Sequence, residues 1–134
     1  MSSKGKVLAI DDDPDFLEFL RIVLEAKGYS VLWAHNAEQG LSLARTAHPD
    51  LILLDIMISY SMQGLDIKRK LQQDPVLCQI PLVVVSSILT SSDQLQNGNG
   101  DSTSVVAVLP KPIEVDALLS LLEQTISLPK EQRM

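Results

Sequence analysis

Cysteine is almost missing from this chain: Cys78 stands alone among 134 residues. No internal disulfide can form, which excludes a disulfide-stapled mini-protein, and a lone thiol fits a reducing compartment, so a cytoplasmic location is expected. A basic excess is missing too. Lys and Arg number 11 against 17 Asp and Glu, giving a net charge of −6 and a pI near 4.7. That is the wrong sign for a protein that binds nucleic acid by neutralising phosphates. Long hydrophobic runs are also lacking. None approaches the ~20 residues that span a bilayer, and Met1-Ser2-Ser3-Lys4-Gly5-Lys6 has no apolar signal-peptide core. Neither a membrane nor nucleic acid is expected as a partner.

Aliphatic residues dominate what is present. The chain holds 22 Leu, 10 Ile and 11 Val, and hydrophobic residues make up 46% of it. At this length they fill one domain core and rule out a disordered tail. Four short continuous apolar runs stand out: Val7 to Ile10, Leu51 to Leu54, Leu82 to Val85, and Val105 to Leu109. Continuous rather than alternating, they suit parallel strands covered on both faces. Tyr29 to Ala34 includes polar Ser30 and reads as an edge strand.

Helical periods fall between these runs. Phe16, Phe19, Leu20, Val23 and Leu24 repeat at helical spacing, with Asp13 as N-cap, Pro14 in the first turn and Gly28 at the end. Asn36 precedes a weaker helix with a stripe of Ala37, Gly40, Leu41 and Ala44. A third spans Gly64 to Gln73, with Ile67 and Leu71 inward, and Asp74-Pro75 stops it. Val115, Leu118, Leu119, Leu122 and Ile126 form the last stripe. The Ser-, Asn- and Gly-rich stretch from Thr90 to Ser104 has one large apolar residue, Leu95, and reads as a loop with at most a turn near Asp93 to Gln96. Alternating strands and helices with right-handed crossovers predict a doubly wound α/β sheet.

Each central run ends in a polar group: Asp11-Asp12-Asp13 after the first, Asp55 after the second, Ser86-Ser87 after the third, and Lys111 past Pro110 after the fourth. In open α/β sheets the site lies beyond the carboxyl ends of the strands, so these groups converge on one edge. Close carboxylates repel by about 1–4 kcal/mol per pair. A cation relieves that repulsion, and an oxygen-only donor set suits Mg²⁺.

Together these motifs resemble the receiver domain of two-component response regulators. Val7 to Pro14 is similar to the family's opening strand and acidic pair, Pro49 to Met57 to its phosphoacceptor strand, Ile80 to Ser87 to the strand ending in a hydroxyl residue, and Lys111-Pro112 to its Lys-Pro pair. The resemblance implies a flavodoxin-like, five-stranded parallel sheet of order 2-1-3-4-5, here with a degenerate fourth helix between the fourth and fifth strands. It implies a receiver over residues 5–127, followed by a short polar tail at 128–134. Asp55 would be the phosphoacceptor, with Ser86 and Lys111 holding phosphoryl oxygens. Asp11, Asp12, Asp55 and the Met57 carbonyl would bind Mg²⁺, Asp11 mainly through water. The implied partners are a histidine kinase or histidine phosphotransfer protein and a downstream protein. The chain would be no enzyme beyond its own phosphorylation and dephosphorylation.

The chain departs from the family pattern in three regions: the loop after Asp55, position 108 and the stretch matching the fourth helix. Ser59 replaces the usual Pro after Asp55, and Gly64 falls one residue late. Val108 stands where Tyr or Phe is usual, and the stretch matching the fourth helix is the polar one. A rotamer switch by an aromatic ring is therefore not expected, and output is expected through ordering of 91–104 or reshaping of the loop 56–63.

Other readings attach to the same residues. Asp11 to Asp15 alone would fit a solvated turn and helix cap. A calcium loop fails because Phe16 and Ile22 occupy the positions of its Gly and Glu. The D-x-D spacing also occurs in haloacid-dehalogenase-like phosphatases, but the downstream match is poorer. A phosphorylation-independent interaction module and a Mg²⁺-dependent phosphatase remain the alternatives. Cys78, His35 and His48 read as structural, and Lys68-Arg69-Lys70 as a solvated helix face.

Overall fold

The computed structural model describes residues 5–55, 63–86, 105–110 and 113–126. In chain order it contains β1 (Lys6–Ile10), α1 (Pro14–Ala26), β2 (Ser30–Ala34), α2 (Ala37–Ala47), β3 (Leu51–Asp55), α3 (Gln63–Gln73), a 3-10 turn (Leu77–Gln79), β4 (Leu82–Ser86), β5 (Val105–Pro110) and α4 (Val115–Ile126). All strand pairs are parallel and the order is β2-β1-β3-β4-β5. This is the flavodoxin-like, doubly wound sheet expected. The stretch expected to hold the degenerate fourth helix lies outside the described residues, so the label α4 falls to Val115–Ile126, the last helix among those described.

The continuous runs are explained by the strand period of two. In β1, Val7 and Ala9 join a core under α1 and α4, whereas Leu8 and Ile10 join a core under α2 and α3. β3 splits the same way, Leu51 and Leu53 from Ile52 and Leu54, and so does β4. A strand with a helix layer on each side needs apolar residues at every position, and alternation would strand a polar group in one core.

The helix ends follow their local chemistry. Asp13 caps α1 by accepting from the Asp15 and Phe16 amides at 3.0 and 3.4 Å, with Pro14 in the first turn. At the other end Gly28 takes φ 97°, and the Tyr29 amide reaches back to the Leu24 carbonyl. α2 is capped by Asn36 on the Gln39 amide, while the Gln39 side chain accepts from the His35 amide. A Cβ on Gly40 would stand 2.7 Å from Ile10 Cδ1, so glycine lets α2 lie close on β1. After α3, Asp74 accepts from the Val76 and Leu77 amides and starts the 3-10 turn. Cys78 is half-buried in that turn, its thiol 3.5 Å from the Pro75 carbonyl.

The structure corrects the sequence expectation in two places. α1 buries Leu17, Leu20 and Leu24, while Phe19 lies on the rim, stacked on Phe16 with centroids 6.3 Å apart. β5 takes the sheet edge that the expected strand order assigns it, but it is not covered on both faces as expected: Ala107, Val108 and Leu109 are half-buried. Its pairing jumps from Leu82↔Val105 to Val83↔Ala107. Val106 is thus an extra residue, a bulge that leaves it exposed.

Candidate functional site

β1 and β3 are neighbours at the sheet centre, with Ile10 paired to Leu54. The next residue of each strand is an aspartate, so Asp11 and Asp55 emerge side by side. Asp11 is 2% exposed and Asp55 6%, and they are the two buried charged residues among those described. Half-buried Asp12 joins them. One carboxylate oxygen from each of the three lies within 4.8 Å of the other two.

Backbone bonds fix the acidic triplet. The Asp11 amide donates to the Ala34 carbonyl at 3.0 Å, extending the β1–β2 ladder by one residue. Its Oδ1 accepts from the Asp13 amide at 3.0 Å. Asp13 spends its own Oδ1 on the α1 cap, as described above. The triplet therefore divides its work, Asp11 and Asp12 facing the cluster and Asp13 holding the helix. The Ala34 carbonyl escaped the sequence reading, because a main-chain acceptor on another strand leaves no side-chain signal.

Ser86 ends β4. Asp55 pairs with Val85, and Ser86 pairs with Pro110, the residue before Lys111. The backbone of Ser86 thus lies one residue past the partner of Asp55, on the same edge. The Ser86 side chain, Lys111, Met57 and Ser59 lie outside the described residues.

The donor set tests the cluster as a metal site. Among the described residues it contains carboxylates alone, with no His or Cys, which suits a hard, oxygen-preferring cation such as Mg²⁺. Three like charges at this spacing and burial repel one another, and a divalent ion offsets that cost. A separate shallow groove, lined by Lys27, Tyr29, Leu119 and Glu123, opens near the far end of α1. There burial first, and Glu123 second, push the Tyr29 phenol above its ordinary pKa.

A flavodoxin-like sheet with acids on two adjacent central strands defines the class. Residues 7–123 match the response regulator receiver domain family, and the chain belongs to that family. Among curated relatives, the DNA-binding dual master transcriptional regulator RpaA of Synechocystis is 31% identical over 129 residues, covering 93% of this chain and 52% of that protein. The chain thus spans about half the length of that relative. Protein PilH of Pseudomonas aeruginosa is 29% identical, with 92% of this chain and 98% of PilH covered. Among solved structures, a CheY-like response regulator receiver domain protein of Methanospirillum hungatei superposes with TM-score 0.79 at 22% identity, covering 96% of this chain and 98% of that one. A Francisella response regulator receiver domain gives TM-score 0.75 at 25% identity, covering 92% of this chain and 97% of that one. Family membership is consistent with two-component signalling. Among the described residues no helix is long and apolar enough to cross a membrane.

Proposed function

We propose that this receiver, spanning residues 5–127, is a phosphorylatable cytoplasmic switch. Asp55 accepts a phosphoryl group from a histidine kinase or histidine phosphotransfer protein, and the phosphorylated form signals by binding a downstream protein. The observation that carries this reading is Asp55 buried at the end of β3, with the carboxylates of Asp11 and Asp12 gathered beside it.

The chemistry asks for positioning and charge neutralisation more than for an added reagent. A carboxylate oxygen of Asp55 forms the new O–P bond, and the bond from phosphorus to the donor's nitrogen or oxygen breaks, the leaving group keeping that electron pair. Ser86 donates to one phosphoryl oxygen and Lys111 pairs with another. Asp11, Asp12, Asp55 and the Met57 carbonyl would hold Mg²⁺. When bound, the ion offsets the charge of the carboxylates and the incoming phosphoryl group.

Output runs through the loop 56–63 or the stretch 91–104, not through an aromatic rotamer. Val108 is half-buried against the core under α2 and α3, and its β-branched side chain has few rotamers to exchange. Both segments lie outside the described residues, apart from Gln63.

Incubation with acetyl phosphate and Mg²⁺, read by intact mass, tests the reading. One phosphoryl adduct is expected on the natural chain and none on Asp55→Asn. An undiminished adduct on that variant overturns the assignment of Asp55. No adduct on the natural chain favours the phosphorylation-independent module, and repeated turnover of phosphoesters favours the phosphatase.

A further inference from the structure

The free edge of the sheet at β2 is unusual in what it lacks. Edge strands are commonly guarded by Lys, Glu or Pro, which discourage pairing with another chain. β2 reads Ser30-Val31-Leu32-Trp33-Ala34 and carries none of them. Trp33 is 37% exposed, and Ile22, next to the Arg21 that covers the Trp33 ring at 5.8 Å, is 56% exposed.

The hydrogen-bond phase of this strand is fixed. The Ser30 amide donates to the Gly5 carbonyl, and the Ala34 carbonyl accepts from the Asp11 amide. Alternation then turns the main-chain groups of Ser30, Leu32 and Ala34 toward β1, and those of Val31 and Trp33 toward the free edge. Among the described residues those outward groups have no strand beside them.

We propose that this edge pairs with β2 of a second copy, antiparallel, about a two-fold axis at Leu32. Val31 and Trp33 are two residues apart, so each faces the other across such an axis. The Val31 amide donates to the partner copy's Trp33 carbonyl, and the Trp33 amide to its Val31 carbonyl. With their symmetry mates these make four bonds, the closed pattern of an isologous contact. Val31 and Trp33 also meet on the face carrying α1, a β-branched and aromatic cross-strand pair of the favourable kind. No charged side chain of the strand opposes itself. A five-residue strand pair alone falls short of the ~1,000 Å² of total burial that marks a stable interface, so the dimer is reversible. Each copy carries a charge of −6, so screening by added salt strengthens it.

Sedimentation velocity and amide hydrogen exchange on the full, unphosphorylated chain, across a wide concentration range, test this. The expected result is a monomer–dimer equilibrium, with the Val31 and Trp33 amides gaining protection as concentration rises. Trp33→Glu, checked as folded by circular dichroism, should weaken dimerisation by about tenfold or more, while Val106→Lys on the opposite edge leaves it unchanged. A monomer at every concentration overturns the proposal. So does a dimer whose formation leaves the Val31 and Trp33 amides unprotected, or one dissolved by Val106→Lys and not by Trp33→Glu.

Discussion

β3 and β5 are equally apolar in sequence and differ sharply in surroundings. Every residue of β3 is buried, Leu53 at 2% exposure, whereas β5 bulges at Val106, which is 47% exposed. Apolarity marks both as strands; neighbours decide how much water each excludes. The difference places the acidic cluster. A carboxylate at the end of β3 is held by strands on both sides, β1 and β4, so Asp55 keeps a fixed relation to Asp11. β5 has one neighbouring strand and an irregular register.

The largest expected effect comes from the core of the better-packed strand. Leu53→Ala removes a buried side chain and should cost about 2–5 kcal/mol of unfolding free energy. Val106→Ala on the bulge should stay within about 0.5 kcal/mol. Urea denaturation of both variants checks this, and equal losses would erase the contrast between the strands.

Within the acidic edge a second contrast is smaller. Asp13→Ala leaves two amides of the first α1 turn without their side-chain acceptor, and should cost about 1 kcal/mol. Its removal should leave the Asp11–Asp12–Asp55 cluster in place, which chemical denaturation with and without Mg²⁺ can read.

The smallest effect is a pH dependence at the turn after α3. The Asp74 carboxyl is held below its ordinary pKa by the Leu77 amide first and the Val76 amide second, with a lesser pull from Arg45, 3.9 Å away. A carboxyl lowered in the folded state stabilises the fold above its unfolded pKa, near 3.8. That contribution is lost as pH falls through the lower folded value. Urea midpoints below about pH 4 should therefore fall more steeply for the natural chain than for Asp74→Ala. Identical slopes would show that the turn does not favour the ionised form.

Much of this architecture could be read from the chain because its local signals agree. Asp13-Pro14 and Gly28 bracket α1, Asp74-Pro75 ends α3, and the four apolar runs became strands of the expected sheet. The lapses share a cause. Phe19 fits a helical repeat as well as Leu17 does, and only the sheet beneath α1 decides which is buried. The bulge at Val106 is a matter of register with β4, which no spacing within β5 encodes. At the site, the strand-end acids could be read from the sequence because each follows an apolar run, while the strand order that sets Asp11 beside Asp55 came with the resemblance to the receiver family. The anchoring of Asp11 by the Ala34 carbonyl could not, since it belongs to the main chain of another element.

Calorimetric titration of Mg²⁺ into the natural chain, Asp12→Ala and Asp13→Ala tests most directly the claim that the acids gathered at the centre of the sheet form one metal-binding unit, distinct from the helix cap beside it. One ion per natural chain is expected, with affinity weakened about tenfold or more in Asp12→Ala and largely kept in Asp13→Ala. Greater loss in Asp13→Ala than in Asp12→Ala would contradict it.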